Sequence, residues 1–391
     1  MEIKENAVYL DNSATTPLSE ATRMSILEAM DTYGNPSSLH SMGQDAEKLV
    51  ETAREQVLAG LGVRRRLGDA LVFTSCGTEA SSLALFGTAY AKSRRDATRI
   101  LTTDSEHPSV GRVMDKLEAD GFDVVRISTR GGVLSEEELS SALDKKILLA
   151  SFMLVNNETG AIYSVAKAFK KIKQKYPEAV THCDAVQGFM KVPFTPSSLS
   201  ADLITVSAHK LHAPKGVGAL YISAPVIKAK RISPFLIGGG QEDGWRSGTE
   251  NVMGISAFGA SVADISRRRG EISEKINSLR SYADRRLSEL DVRINLPRGE
   301  YLPNIINVTL PDIKSETMLH MLSAEGIFVS SGSACSSHSR KVSESLSAFG
   351  LTDREADCSL RISMSEYNTE SDIDRLCSAL GRGIDKLVRI K

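Results

Sequence analysis

The stretch that decides the fold is Ser207-Ala208-His209-Lys210-Leu211-His212-Ala213-Pro214-Lys215-Gly216-Val217-Gly218. It follows an apolar, β-branched run at 202–206, which predicts a buried strand of a parallel sheet. Ligands of open α/β sheets collect where such strands end, so Ser207, His209 and Lys210 are predicted to leave the sheet beside a ligand. A loop lysine taken alone is most often a solvated side chain, and only its context makes Lys210 a candidate.

A second apolar run, at 178–183, ends in Asp184 and leads to Gln187. It predicts another buried strand, so that an acid follows one strand end and Lys210 follows another. This combination suits pyridoxal phosphate. The aldehyde of that cofactor needs an amine for a Schiff base, and its pyridine nitrogen needs a carboxylate to stay protonated.

Together these residues resemble the NifS/IscS-type cysteine desulfurases of the class V aminotransferase family, and the resemblance runs nearly end to end. Two early segments, Asp11–Pro17 and Gly34–His40, resemble further signatures of the family, the first of which borders the active-site mouth. The resemblance implies an α/β protein with the type I fold of pyridoxal-phosphate-dependent transferases. Its large domain has a mainly parallel seven-stranded sheet flanked by helices, and its smaller domain is α+β.

Composition excludes several other classes of protein. The chain has 391 residues, 25% of them charged, and a net charge of −1, so it carries no electrostatic footprint for nucleic acid or an anionic membrane. No apolar run is long enough to span a membrane, and the first residues contain no signal-peptide core. The cysteines are odd in number and lack CxxC spacing, which argues against a disulfide framework or a metal site and predicts a cytoplasmic protein. They are Cys76, Cys183, Cys335, Cys358 and Cys377.

The length predicts two domains. We expect a large cofactor-binding domain at 17–255. The small domain is expected to combine residues 1–16 with 256–391 and to carry the catalytic cysteine loop at about 330–348. Long helical segments from about 252 to 290 are predicted to bridge the two.

The predicted phosphate site follows an apolar strand at 70–74, where Ser75-Cys76-Gly77-Thr78 opens a helix. Gly77 allows close backbone approach and Thr78 suits an N-cap position, so the free N–H groups of the helix can bind an anion. An ordinary capped helix would look the same. Relatives usually have Gly or Ala in place of Cys76, and we expect no catalytic role for this thiol.

Two residues at predicted strand ends acquire roles from the resemblance. It implies that His107, in Glu106-His107-Pro108, lies over the pyridine ring and takes part in stacking and proton transfer. It also implies that Asn157 faces the cofactor and the substrate carboxylate. A hydrogen-bonded structural histidine and a turn asparagine are the simpler interpretations.

The remaining cofactor contacts of the large domain are also implied by the resemblance. Asp184 pairs with the pyridinium nitrogen, and Gln187 hydrogen-bonds the ring hydroxyl. Ser207 and His209 hold phosphate, while Lys210 forms the Schiff base and acts in catalysis.

The tetrad Arg246-Ser247-Gly248-Thr249 follows a glycine-rich stretch, which by itself indicates only a flexible connection. In the family this tetrad reaches the phosphate of the neighbouring subunit. The resemblance therefore implies an obligate homodimer in which Thr249 acts across the interface.

The predicted nucleophile is Cys335, in the small-residue loop Ser330-Ser331-Gly332-Ser333-Ala334-Cys335. Such a loop leaves a thiol exposed, although exposure alone does not decide reactivity. The loop resembles the family's catalytic signature. Its distance from Phe349-Gly350 resembles the long catalytic loop of the IscS-like group more than the short loop of the SufS-like group.

Two further strands are predicted in the small domain. The alternation of residues 305–310 predicts a half-buried strand, and Leu360–Ser365 predicts a strand that contains Arg361. An arginine there needs a carboxylate partner. A structural salt bridge would satisfy it, whereas the resemblance makes Arg361 the anchor for the α-carboxylate of the substrate.

The activity implied by the resemblance is that of a cysteine desulfurase. Sulfur is removed from L-cysteine to give L-alanine and a persulfide on Cys335, which passes to an acceptor protein for iron–sulfur cluster assembly or tRNA thiolation. The alternatives are a selenocysteine lyase, a class V transaminase, or a catalytically idle binding subunit. A nicotinamide enzyme is disfavoured because no G-x-G-x-x-G opens a helix after an early strand. IscS-like relatives carry a C-terminal scaffold-docking tail, and the stretch after the final predicted helix is shorter here, so the resemblance leaves room for a dedicated acceptor.

Overall fold

The computed structural model describes residues 7–63, 68–91, 97–331 and 343–389. The strands are β1 (Val8–Tyr9), β2 (Ala70–Thr74), β3 (Arg99–Thr103), β4 (Asp123–Ile127), β5 (Ile147–Met153), β6 (Val180–Asp184), β7 (Leu203–Ser207), β8 (Gly218–Ile222), β9 (Arg293–Ile294), β10 (Ile305–Thr309), β11 (Ile327–Phe328), β12 (Ser330–Ser331) and β13 (Ser359–Ser363). The helices are α1 (Glu20–Met30), α2 (Ser41–Gly60), α3 (Gly77–Ala89), α4 (Pro108–Ala119), α5 (Glu136–Ala142), α6 (Val165–Lys175), α7 (Pro196–Leu199), α8 (Ala224–Lys228), α9 (Val252–Ser288), α10 (Ser315–Ala324), α11 (Glu344–Phe349), α12 (Asp353–Asp357) and α13 (Glu370–Lys386).

In the described part of the chain, the central sheet has seven strands in the order β2-β8-β7-β6-β5-β3-β4. The neighbours from β7 to β4 pair in parallel, and only β8 runs antiparallel to its two neighbours. The expected α/β fold with a mainly parallel sheet is therefore confirmed. Because β6 and β7 are parallel neighbours, their carboxyl ends bring Asp184 and Ser207 to the same edge of the sheet.

The large core follows from the sequence pattern of these elements. All seven residues of β5 are buried, as expected for a parallel strand covered on both faces. On α6, Val165, Ala168, Phe169 and Ile172 form one buried stripe at helical spacing. Helices on both faces of the sheet thus enclose it and leave the strand ends as the accessible edge.

A second, smaller core lies around the sheet β12-β13-β10-β9, whose pairs are antiparallel. The predicted half-buried strand at 305–310 proves to be buried along all of β10. Its two faces pack on different cores, because Ile305 joins the large core while Ile306 and Val308 join the small one.

Helix α9 contributes to both cores. Its first half packs Ile255, Phe258 and Val262 into the large core, and its second half packs Ile276 and Leu279 into the small core. The division into 17–255 and 1–16 with 256–391 stays a prediction. Within the described residues, no helix combines the length and the apolarity that crossing a membrane requires.

The segment after β1 runs from the small core to the sheet edge. Strand β1 pairs with β11, and Asp11 forms a bridge with Ser363. Further along, the Thr16 N–H donates to the carbonyl of His209, at 3.0 Å. Residues 11–16 therefore connect the small-domain sheet to the loop that carries Lys210.

Candidate active site

A cavity of about 280 Å³ lies at the carboxyl ends of β6 and β7. Ten of the residues predicted from the sequence line it together: Gly77, Thr78, His107, Asn157, Asp184, Gln187, Ser207, His209, Lys210 and Arg361. They come from the large sheet, its loops and strand β13, so the pocket forms where the two cores meet. The parallel topology explains the convergence, because consecutive strand ends point to one edge.

One end of the pocket is suited to an anion. Helix α3 begins at Gly77, so its N-cap is Cys76 and the expected N-cap role of Thr78 is wrong. The reason is that Cys76 keeps an extended backbone and the helical turn starts directly after it. The Cys76 side chain makes no capping hydrogen bond with the described residues, which leaves backbone N–H groups of the first turn for a ligand. Nearby, the buried hydroxyl of Ser207 has no hydrogen-bond partner among the described residues.

Asp184 lies at the end of β6 and is buried. Burial raises the pKa of its carboxyl to about 6, while the Val186 N–H and the positive charge of Lys210 act in the opposite direction. The Val186 N–H donates to Asp184 Oδ1 at 3.0 Å. At neutral pH this is an anionic acceptor inside the pocket, able to pair with a protonated ring nitrogen.

Lys210 ends a short turn after β7. Its Nζ donates to the carbonyls of Ser13 and Ala14, the latter at 2.7 Å. The Gln187 amide also donates to the Ser13 carbonyl, at 2.9 Å. The segment after β1 thus holds both side chains from one side of the pocket.

Both histidines of the pocket are neutral at pH 7. Burial, followed by the charge of Lys210, lowers the pKa of His107 to about 4. Its Nδ1 accepts from the Ser109 N–H at 3.1 Å, which places the ring proton on Nε2. Burial and nearby lysines also lower the pKa of His209 to about 4. A neutral imidazole at His107 suits stacking on an aromatic ring.

Arg361 reaches the pocket from β13 and is only 5% exposed. Its Nη2 donates to Asp11 Oδ1 at 2.8 Å, and its Nη1 donates to the Asn157 carbonyl at 3.1 Å. Its Nε is buried without a hydrogen-bond partner among the described residues. The arginine therefore has a structural salt bridge and still keeps a donor for a ligand.

One predicted residue lies away from this pocket, and the place of another is not described. Thr249 is exposed and lines a separate cavity with Thr74, Ser75 and Arg246. Its predicted action on a neighbouring subunit stays a prediction. Cys335, the predicted nucleophile, lies outside the described residues.

Three residues of the site escaped the sequence analysis. Ser13 lines the pocket with a buried hydroxyl that has no partner among the described residues. Asp11 holds Arg361, although the sequence showed it only as part of a signature. Glu106, beside His107, is half-buried, and the loss of hydration raises the pKa of its carboxyl to about 8. Its position next to a predicted site histidine was the signal that could have revealed it.

Comparisons with known proteins identify the family and the fold. The profile of the family described as Aminotransferase class-V matches residues 8–376. This chain belongs to the class-V aminotransferase family. A protein named cysteine desulfurase from Trichormus azollae is 38% identical over 387 residues, which cover 98% of this chain and 94% of the relative.

Solved structures of other proteins have the same fold. A NifS-like protein superposes with a TM-score of 0.89 at 35% identity, covering 98% of this chain and 100% of the other. A structure described as SspA in complex with cysteine superposes with a TM-score of 0.79 at 27% identity, covering 92% of this chain and 99% of the other.

The class-V family depends on pyridoxal phosphate, and the pocket residues fit that group. The N-terminus of α3 and the Ser207 hydroxyl, both without side-chain partners in the described part of the chain, suit a phosphate. A Cβ built on Gly77 would lie 3.1 Å from Val186 Cγ2 and 3.4 Å from Ser207 Cβ, so a larger residue would crowd this approach. Asp184 supplies the anion for the ring nitrogen and Lys210 the amine for the aldehyde.

Proposed function

We propose that this chain is a pyridoxal-phosphate-dependent cysteine desulfurase that converts L-cysteine to L-alanine and a protein-bound persulfide. One observation carries the proposal. A single cavity brings together the amine of Lys210, the buried acid Asp184 and the guanidinium of Arg361. The relatives named cysteine desulfurase support the choice of substrate.

The proposed roles follow from the chemistry of each group. The bound cofactor supplies an electron sink for the charge that develops when the substrate loses its Cα proton. Lys210 removes that proton as a general base, and Arg361 holds the α-carboxylate. Asp184, ionised above pH 6, keeps the ring nitrogen protonated. The neutral ring of His107, which lines the pocket, would stack on the ring of the bound cofactor and take part in proton transfer.

Cys335 is proposed as the sulfur acceptor. Its thiolate attacks the sulfur of the substrate, forming an S–S bond while the bond between Cβ and sulfur breaks. The electron pair of the broken bond stays with the three-carbon fragment, which is protonated and leaves as alanine. The enzyme then carries a persulfide, and no outside oxidant is required.

We also propose that the protein acts as a homodimer with Thr249 contributing to the partner's site. The exposed apolar side chains of α1 support an interface, since Met24, Leu27 and Met30 follow one another along this helix. The position of Thr249 outside its own chain's cofactor pocket is consistent with a role in the other subunit. The persulfide acceptor is proposed to be an iron–sulfur scaffold or a tRNA-thiolation protein, and the cytoplasm remains the predicted location.

The first test is alanine release from L-cysteine in the presence of a reductant. Wild type should release alanine, whereas Cys335→Ala should bind cofactor and release none. Cys76→Ala is the matched control, because Cys76 is a thiol that lines the described pocket. Its activity should stay close to that of wild type.

The other outcomes are equally informative. Equal alanine release by wild type and Cys335→Ala would remove Cys335 from the mechanism. Loss of activity in Cys76→Ala alone would move the sulfur-accepting role to that thiol. If wild type carries cofactor but releases no alanine, selenocysteine and amino-group transfer become the reactions to assay.

A further inference from the structure

Arg361 interacts with two acids, and among the described residues only Asp11 is hydrogen-bonded to it. Asp11 Oδ1 accepts from Nη2 at 2.8 Å, across 350 positions of sequence. The second acid is Glu158, whose pKa is raised by burial to about 7, while the Ser343 hydroxyl and the positive charge of Arg361 act in the opposite direction. Both oxygens of Glu158 accept from the Ser343 hydroxyl, at 2.8 Å each.

Two nitrogens of the Arg361 side chain are hydrogen-bonded, and its Nε is not hydrogen-bonded to any described residue. Nη1 is bound to the Asn157 carbonyl and Nη2 to Asp11, while Nε is buried without a partner among the described residues. A buried donor without an acceptor costs roughly 1–3 kcal/mol, so a bound ligand that accepts from Nε would recover this free energy. Asp11 accepts from Nη2 and not from Nε, so it fixes the guanidinium while Nε stays available to a ligand.

Asp11 is itself held firmly in place. The Asn12 N–H donates to the Ser363 carbonyl at 3.1 Å. The Tyr9 hydroxyl donates to the carbonyls of Asp11, at 3.2 Å, and Thr15, at 2.8 Å. Burial raises the pKa of Tyr9 to about 12, so this donor stays protonated. Because Lys210 also donates to carbonyls of this segment, one short stretch sets the position of Arg361 relative to Lys210.

We propose that Asp11 is a positioning residue for substrate recognition: it ties Arg361 in the orientation that receives an α-carboxylate and keeps it from pairing with Glu158. The inference rests on the proposed role of Arg361 as the carboxylate anchor. Without Asp11, the guanidinium would gain a partner by turning toward Glu158. The substrate carboxylate would then compete with a protein carboxylate for the same donors.

The test compares Asp11→Ala, Asp11→Asn and Glu158→Gln by steady-state kinetics with L-cysteine. Asp11→Ala should raise KM roughly tenfold with a smaller effect on kcat, the size expected for a lost charged hydrogen bond. Asp11→Asn retains an oxygen acceptor at the same position and should restore most of the wild-type KM. Visible absorbance of the bound cofactor and the thermal midpoint show whether each variant folds and holds cofactor.

The pH dependence separates positioning from a general loss of structure. Glu158 ionises near pH 7, so the ratio of KM in Asp11→Ala to KM in wild type should rise between pH 6 and 8. Ionisation of L-cysteine changes the KM of both enzymes equally at a given pH, so it does not affect this ratio. The double variant Asp11→Ala/Glu158→Gln should lose the rise, because its residue 158 cannot become an anion.

Other results would overturn the inference. A KM for Asp11→Ala within twofold of wild type across this range, or a rise that persists in the double variant, contradicts it. Arg361→Ala distinguishes a failure of the proposed carboxylate anchor from a failure of the Asp11 role. An unchanged KM in this variant would remove Arg361 as the anchor and the inference with it. A raised KM in Arg361→Ala together with an unaffected Asp11→Ala would remove only the role of Asp11. If Asp11→Ala does not fold, Asp11→Ser, whose side chain is too short to reach Arg361, takes its place.

Discussion

The pocket contains polar groups that the described part of the chain leaves without partners. The hydroxyls of Ser13 and Ser207 and the Nε of Arg361 are all buried and unpaired among the described residues. Because each such group is costly to bury, a ligand that pairs them recovers binding free energy. Their positions coincide with the predicted phosphate end and carboxylate end of the site, which makes individual substitutions informative.

Ser207→Ala should weaken cofactor retention without unfolding the protein. A hydrogen bond to a charged phosphate contributes about 1.5–3 kcal/mol, so the cofactor dissociation constant should rise roughly 10- to 100-fold. Titration of the apoprotein followed by visible absorbance measures it. Ser359→Ala is the control, since this buried serine lies in the small core and donates to the Glu355 carbonyl instead. Equal cofactor affinity in Ser207→Ala and wild type would contradict a phosphate contact.

Cofactor affinity should fall as the pH drops through 6. Burial raises the pKa of Asp184 to about 6, so the carboxylate that pairs with the ring nitrogen is present above this pH and protonated below it. The apparent dissociation constant should increase up to about tenfold per pH unit between pH 6 and 5. Asp184→Asn should bind weakly with little pH dependence, and a wild-type affinity that is flat from pH 5 to 8 would refute the assignment.

At the scale of elements, the start of α3 is positioned by close contact with β8. A Cβ built on Gly218 would lie 2.5 Å from the Cys76 carbonyl carbon and 2.8 Å from its oxygen. Backbone atoms cannot rotate away as a flexible side chain can. The anion-binding end of α3 therefore depends on a glycine in the neighbouring strand, which no pattern of hydrophobicity reveals.

Gly218→Ala should destabilise the protein and Gly111→Ala should not. The first substitution forces β8 away from α3, with an expected cost of about 1–3 kcal/mol or more and a lower thermal midpoint. Gly111 lies within α4 and a Cβ there meets nothing within 4 Å, so alanine should raise stability by about 1 kcal/mol through helix propensity. Thermal and denaturant unfolding of both variants decide the point, and equal midpoints would show that the contact at Gly218 relaxes freely.

At the scale of the whole molecule, the proposed dimer can be tested by complementation. Lys210→Ala and Thr249→Ala chains, co-expressed and purified as mixed dimers, should regain activity. If Thr249 acts on the partner's pocket, each mixed dimer contains one site with both residues intact. If Thr249 acts within its own chain, every site lacks one of them and the mixed dimer stays as inactive as its parents.

Much of this molecule was predictable from local pattern. Apolar β-branched runs mark the strands, and the residues that follow them converge because parallel strands end at one edge of a sheet. For this reason the order of strands and polar residues along the chain was enough to assign Asp184, Ser207 and Lys210 to one pocket, which all three line. The sequence by itself thus determined the fold class and the large-domain side of the site.

Only the tertiary structure decided which distant residues form ion pairs and which faces of the strands are buried. The pairing of Asp11 with Arg361 joins residues 350 positions apart, and no spacing rule anticipates it. Likewise, β10 is buried on both faces because two cores meet there, although its alternation predicts one exposed face. The neutral state of His107 depends on burial, followed by the charge of Lys210. Burial and long-range electrostatics are properties of the packed chain, and local sequence does not contain them.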